Sequence, residues 1–79
     1  MSVTMEEWNE ACQAVVKKAQ QSPAGSLIQY GAAYAQRGYM MYGEERRVQA
    51  LYILNNLGGW RGNEAKATKE IFKRASKAK

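Results

Sequence analysis

Apolar residues recur along the start of the chain at Met5, Trp8, Cys12, Val15, Val16 and Ala19. Steps of three and four put them on one side of a helix, so residues 4–21 are predicted helical with one buried face. The leading Thr4-Met5-Glu6-Glu7 has the form of a capping box. In that motif the Thr hydroxyl and the Glu carboxylate each accept from a backbone N–H that the first turn leaves unpaired. Pro23 bars the helix from continuing. A second helix is predicted over 23–41, with Ser22 as its cap and Pro23 in its first position.

Two stripes run along that second segment. One holds Leu27, Tyr30, Tyr34 and Met41; the other holds Gly31, Ala35, Gly38 and Tyr42. A glycine inside a helix costs about 1 kcal/mol relative to alanine. Gly31 and Gly38 therefore point to close approach of another helix, or to a helix end at Gly38. After Gly43 a third helix is predicted over 44–57, with Glu44 and Glu45 in the first turn where the helix dipole favours them. Val48, Ala50, Leu51, Tyr52, Ile53, Leu54 and Leu57 run nearly all the way round it. Such a helix is expected to be central, or to place one face in an oligomer interface. The run 48–54 also reads as a short strand; its length and flanking Glu and Arg residues favour the helix. Residues 58–63 form a turn, with Gly58 closing the third helix and Asn63 capping a fourth over 63–77. There Ala65, Thr68, Ile71, Phe72 and Ala75 make a narrow apolar face, and Lys66, Lys69, Lys73 and Lys77 line another. The expected fold is an all-α bundle of three to four helices in one domain.

Size changes this picture. A chain of 79 residues buries only about 60% of its unfolded surface. With no disulfide or metal to reinforce it, self-association into a homo-oligomer is expected. Charge is unevenly placed. Residues 1–43 carry three Lys/Arg against three Glu, and residues 44–79 carry nine against four, so the whole net charge of +5 lies in the second half. That field attracts anions, whether nucleic acid, nucleotides or an acidic protein surface, and it equally keeps a small protein in solution.

The chain has no His, no Asp and a single Cys. This excludes His-dependent acid–base and nucleophile systems and any Cys/His zinc site. Cys12 lies on the apolar stripe and reads as a small buried side chain. The seven glutamates fall at helix starts or beside lysines, with no pair set apart for proton transfer. No catalytic residue, metal site or cofactor is therefore expected, and the protein is read as a non-enzyme. No run of 18 apolar residues is present to span a membrane. The acidic start of the chain lacks the apolar stretch of a secretion signal. The cytoplasm is the expected location, where a lone thiol stays reduced.

Aromatic and cationic residues cluster between positions 30 and 61. Aromatic faces stack on bases, and Arg pairs with phosphate or with a ring. Tyr39 and Tyr42 lie beside Gly38 and Gly43 and are expected to be exposed; Tyr30, Tyr34 and Tyr52 suit the core boundary equally well. With Arg46, Arg47, Trp60 and Arg61 they make a candidate binding set for an anionic ligand at an oligomer seam. Lys66, Lys69, Lys73 and Arg74 make a candidate basic face for nucleic acid or an acidic partner. The glycines before the fourth helix do not form a Walker-type loop, because no Gly-Lys-Ser/Thr follows. Glu64 would repel a phosphate at that helix start.

The string Tyr52, Leu54, Asn56, Leu57, Trp60, Arg61, Gly62, Ala65 and Lys66 resembles a C-terminal pattern of small bacteriophage and prophage proteins of uncharacterised function. The likeness covers about a third of the chain and leaves residues 1–43 outside it. It implies a phage accessory protein acting against host defences. The expected function is capture of an anionic nucleotide signal; the alternatives are binding and blocking a host defence protein in the manner of an anti-CRISPR, or, from the Lys66, Lys69, Lys73 and Arg74 face, direct nucleic-acid binding. The pattern also has a purely structural account. Trp60 packs over the turn, Arg61 bridges it, and Gly62 takes a conformation other residues avoid.

Overall fold

The capping box forms as the spacing requires. The Glu7 N–H donates to Thr4 Oγ1 at 3.0 Å, and the Thr4 N–H donates to Glu7 Oε1 at 3.0 Å. This starts α1 (Met5–Gln20), followed by α2 (Leu27–Gly38), α3 (Glu45–Leu54) and α4 (Asn63–Lys77). The computed structural model describes residues 3–77, and no strand occurs among them. Each helix packs on the next, and α4 returns to α1, so the four close a ring with α1 opposite α3 and α2 opposite α4. The bundle measures 35 × 23 × 19 Å.

The core is built largely from small residues. Seven of its sixteen buried apolar residues are alanines, which lets the helices approach closely. A Cβ added at Gly31 would lie 3.1 Å from Leu57 Cδ2 and 3.2 Å from the Asn56 carbonyl oxygen. This is the tight helix approach that the glycine pattern predicts.

One large side chain joins all four helices. Trp8, fully buried on α1, donates its indole N–H to the Gly38 carbonyl at the end of α2, at 2.7 Å. The Arg46 guanidinium of α3 lies over its ring at 5.3 Å. Phe72 of α4 meets it edge-on, with ring centroids 5.4 Å apart. The Glu7–Arg74 ion pair, at 2.9 Å, ties α1 to α4 near the same pole.

The structure departs from the sequence reading at three places. First, α2 begins at Leu27 instead of Pro23. Residues 21–26 form turns in which Gly25 takes a φ of +84°, and Ser26 sits at the cap. The Gln29 amide then reaches back to the carbonyls of Ala19 (2.6 Å) and Ser22 (3.2 Å), tying the start of α2 to the end of α1. Second, α2 stops at Gly38, short of 41. Its last carbonyl is taken by Trp8, and Met40 turns the chain with a φ of +67°. Third, α3 is not central and ends at Leu54. In a four-membered ring every helix keeps an outer side, and within α3 only Ala50 and Ile53 are buried. Leu57 reaches the core from the turn beyond.

Candidate functional site

The residues singled out from the sequence do not assemble into one site. Arg46 is a structural clasp. Its Nε donates to the Met41 carbonyl at 2.7 Å, its Nη1 to the Val3 carbonyl at 2.8 Å, and its Nη2 lies 3.5 Å from Met5 Sδ. With Trp8 beneath its plane, the guanidinium fastens the α2–α3 turn to the start of the chain. Trp60 is buried at the opposite pole, beside Ile28, Leu57 and Pro23. Its carbonyl accepts from Lys69 Nζ at 2.6 Å. Arg47 and Arg61 are exposed, and their side chains make no hydrogen bond or ion pair among the described residues. The bridge expected of Arg61 is therefore not made. Tyr39 is exposed and accepts from Gln13 Nε2 at 3.2 Å, and Tyr42 is 76% exposed.

The basic face is divided in the same way. Lys69 and Arg74 are held by Trp60 and Glu7, whereas Lys66, Lys73 and Lys77 project freely. The Glu7 carboxyl is held below its ordinary pKa of 4.5, first by the Thr4 backbone N–H and next by Arg74. The Trp-Arg-Gly string resolves into a turn. Leu57 and Trp60 are buried, Gly62 takes a φ of +112°, and Ala65 is buried at the start of α4.

Between α1 and α2 runs an open cleft of about 480 Å³ lined by Cys12, Val16, Ala35, Lys17 and Tyr39 among others. Cys12 offers it no nucleophile. Burial pushes the thiol pKa up to about 12, only partly opposed by the charge of Arg46. No cluster of three potential metal-ligating side chains occurs among the described residues. No helix is long and apolar enough to cross a membrane among them.

The outer side of α2 and α3 carries an exposed apolar and aromatic face. Leu27, Tyr30, Val48, Leu51 and Tyr52 are 47%, 60%, 52%, 49% and 47% exposed. Leu27, Tyr30 and Tyr34 follow one another at helical spacing on α2, and Val48, Leu51 and Tyr52 do so on α3. The half-buried Tyr34 ring meets Tyr52 at a centroid distance of 5.3 Å, making the two rows one surface. Gln49 Nε2 pins the seam beneath by donating to the Tyr34 carbonyl at 2.6 Å. Tyr30 and Tyr52 thus lie outside the core, because Gly31, Ala32 and Ala35 fill the inward side of α2. The sequence signals are the Leu27, Tyr30 and Tyr34 stripe of α2 and the all-round apolarity of α3; both leave a face over once the ring closes.

No protein-family model, curated protein or solved structure matches the chain.

Proposed function

We propose that this chain is a non-enzymatic binding protein that works through protein–protein contact, with the outer face of α2 and α3 as its docking surface. The observation that carries this reading is the continuous face of Leu27, Tyr30, Tyr34, Val48, Leu51 and Tyr52 on so small a molecule. Using roughly 200 Å² for a fully exposed large side chain, it presents about 500 Å² of apolar and aromatic surface, at the upper end for a monomer. Exposed Tyr with aliphatic neighbours is the composition that interface centres favour.

Capture of a nucleotide signal has less support within one chain. Of its six candidate residues, Arg46 and Trp60 are engaged internally, and Arg47, Arg61, Tyr39 and Tyr42 share no pocket among the described residues. The resemblance of residues 52–66 supplies the context: a phage accessory protein that blocks a host defence component in the host cytoplasm. The free cations Lys66, Lys73 and Lys77 suit a secondary contact with acidic groups.

A photo-cross-linking amino acid at position 30, with a matched control at position 73, tests the reading in cells. Cross-links to protein from position 30 and few from position 73 are expected. Cross-links confined to position 73, or to nucleic acid, would reassign the working surface to α4.

A further inference from the structure

We infer that the occupant of the α2/α3 face is a second copy of the chain, joined across a two-fold axis. The inference rests on the protein-docking reading above and names the partner; a host component then meets the assembled dimer through the outward cations of α4. Three observations carry it.

The first is charge. Residues 59–79 carry seven Lys/Arg against two Glu, so this stretch alone holds a net +5, equal to that of the whole chain. Most of it lies on α4, diagonally across the ring from α2. By helical spacing Arg37 continues the Leu27, Tyr30 and Tyr34 row, and Glu44, Glu45 and Arg47 flank Val48 and Leu51; all four of these rim residues are exposed and their charges cancel. A foreign acidic or basic partner is matched by a rim of one sign. A neutral rim holding both signs lets a cation of one copy face a carboxylate of the other across a two-fold axis. Docked there, two copies keep their basic helices apart and facing outward.

The second is area. The six side chains expose about 500 Å², close to a tenth of the molecule's 5244 Å² surface. With the rim and the flanking Asn55 and Ala33 added, the face approaches the roughly 800 Å² per partner of a standard interface.

The third is the thin core. Nearly half of its buried apolar residues are alanines, and a domain of this size gains little from such a core alone. The largest apolar side chains that remain exposed on α2 and α3 are those a second copy would cover. The Tyr30 and Tyr52 hydroxyls have no hydrogen-bond partner among the described residues, so they are free to find one across the axis.

Sedimentation velocity on the purified full chain from 1 to 100 μM tests this, alongside Tyr30→Glu, Val48→Glu and, as control, Lys73→Glu. The expected result is a dimer for the parent chain and for Lys73→Glu. Each face variant should raise the dissociation constant by about 30-fold or more, with helical circular dichroism unchanged. Tyr30→Ser serves as a milder replacement if a Glu variant does not fold. A monomer at 100 μM, a dimer indifferent to every face variant, or a ladder of larger species overturns the inference. A monomer whose position 30 still cross-links to a different protein leaves the docking reading standing. A monomer with no cross-link from position 30 removes both.

Discussion

A clasping arginine and a ligand-binding one predict different outcomes for Arg46→Ala. The substitution removes two charged hydrogen bonds, to the carbonyls of Met41 (2.7 Å) and Val3 (2.8 Å), and the contact over Trp8 at 5.3 Å. A hydrogen bond to a charged group contributes about 1.5–3 kcal/mol, and a partly exposed cation–π contact about 0.5–1 kcal/mol. Here the lower ends apply, because Arg46 is only half-buried and water can reach the released carbonyls. Releasing the ordered Arg side chain returns up to about 2 kcal/mol of rotamer entropy. The net loss is therefore about 2 kcal/mol. For a domain of this length, that lowers the melting temperature by roughly 8–16 °C. Arg46→Lys keeps the charge without the planar fork and should lose about half as much. Arg47→Ala, one residue on and exposed, should change stability by less than about 0.5 kcal/mol. Urea unfolding followed by circular dichroism measures all three. If Arg46→Ala unfolds within 0.5 kcal/mol of the parent, as estimated from mutational spread, the clasp is refuted and Arg46 becomes available to a ligand.

Three further outcomes are expected. Gly31→Ala gains about 1 kcal/mol of helix propensity but drives a Cβ against the fixed Asn56 carbonyl; such overpacking costs about 1–3 kcal/mol, so urea titration should show net destabilisation. The lowered pKa of Glu7 means that its contribution to stability is complete above its ordinary value of 4.5 and is lost as pH falls through the lower native value. The melting temperature of Glu7→Gln should consequently approach that of the parent below pH 4.5 and separate from it above. Cys12, with its thiol pKa pushed up to about 12, should react with a disulfide reagent at the rate of unfolding, and a rapid burst of labelling in the native state would contradict its burial.

The parts of the fold that depend on neighbouring residues could be read from the sequence. Thr4 and Glu7 cap α1 because they lie three residues apart, whereas Asn63, expected to cap α4, is its first residue, and Gly62 at a positive φ stands in the cap position with its carbonyl accepting from the Lys66 N–H. The stripes of α2 were also visible, but not which one faced inward. That choice is made by the partner: Leu57 and Asn56 press on Gly31, so the small stripe goes in and Leu27, Tyr30 and Tyr34 go out. Arg46 was beyond reach for a similar reason. Its acceptor at Val3 is 43 positions away, and a carbonyl carries no side-chain signature. Trp60 was legible as a turn residue from its glycine neighbours, although its company with Arg61 also fitted a stacking site. Lys69 and Arg74 belonged to a regular basic stripe, and their partners at Trp60 and Glu7 lie on other elements.

The two tryptophans stand at opposite poles of the ring. Trp8 is sealed where Gly38, Arg46 and Phe72 converge, and Trp60 is lodged near the turns that follow α1 and α3. The molecule therefore carries an independent optical reporter at each end. A cation lies over the first indole, and the second lines a crevice with Pro23 and Lys18, so their emission should differ in wavelength and in access to quenchers. With either Trp replaced by Phe, the remaining fluorescence times the opening of a single pole, and whether the bundle parts at one end before the other becomes directly visible.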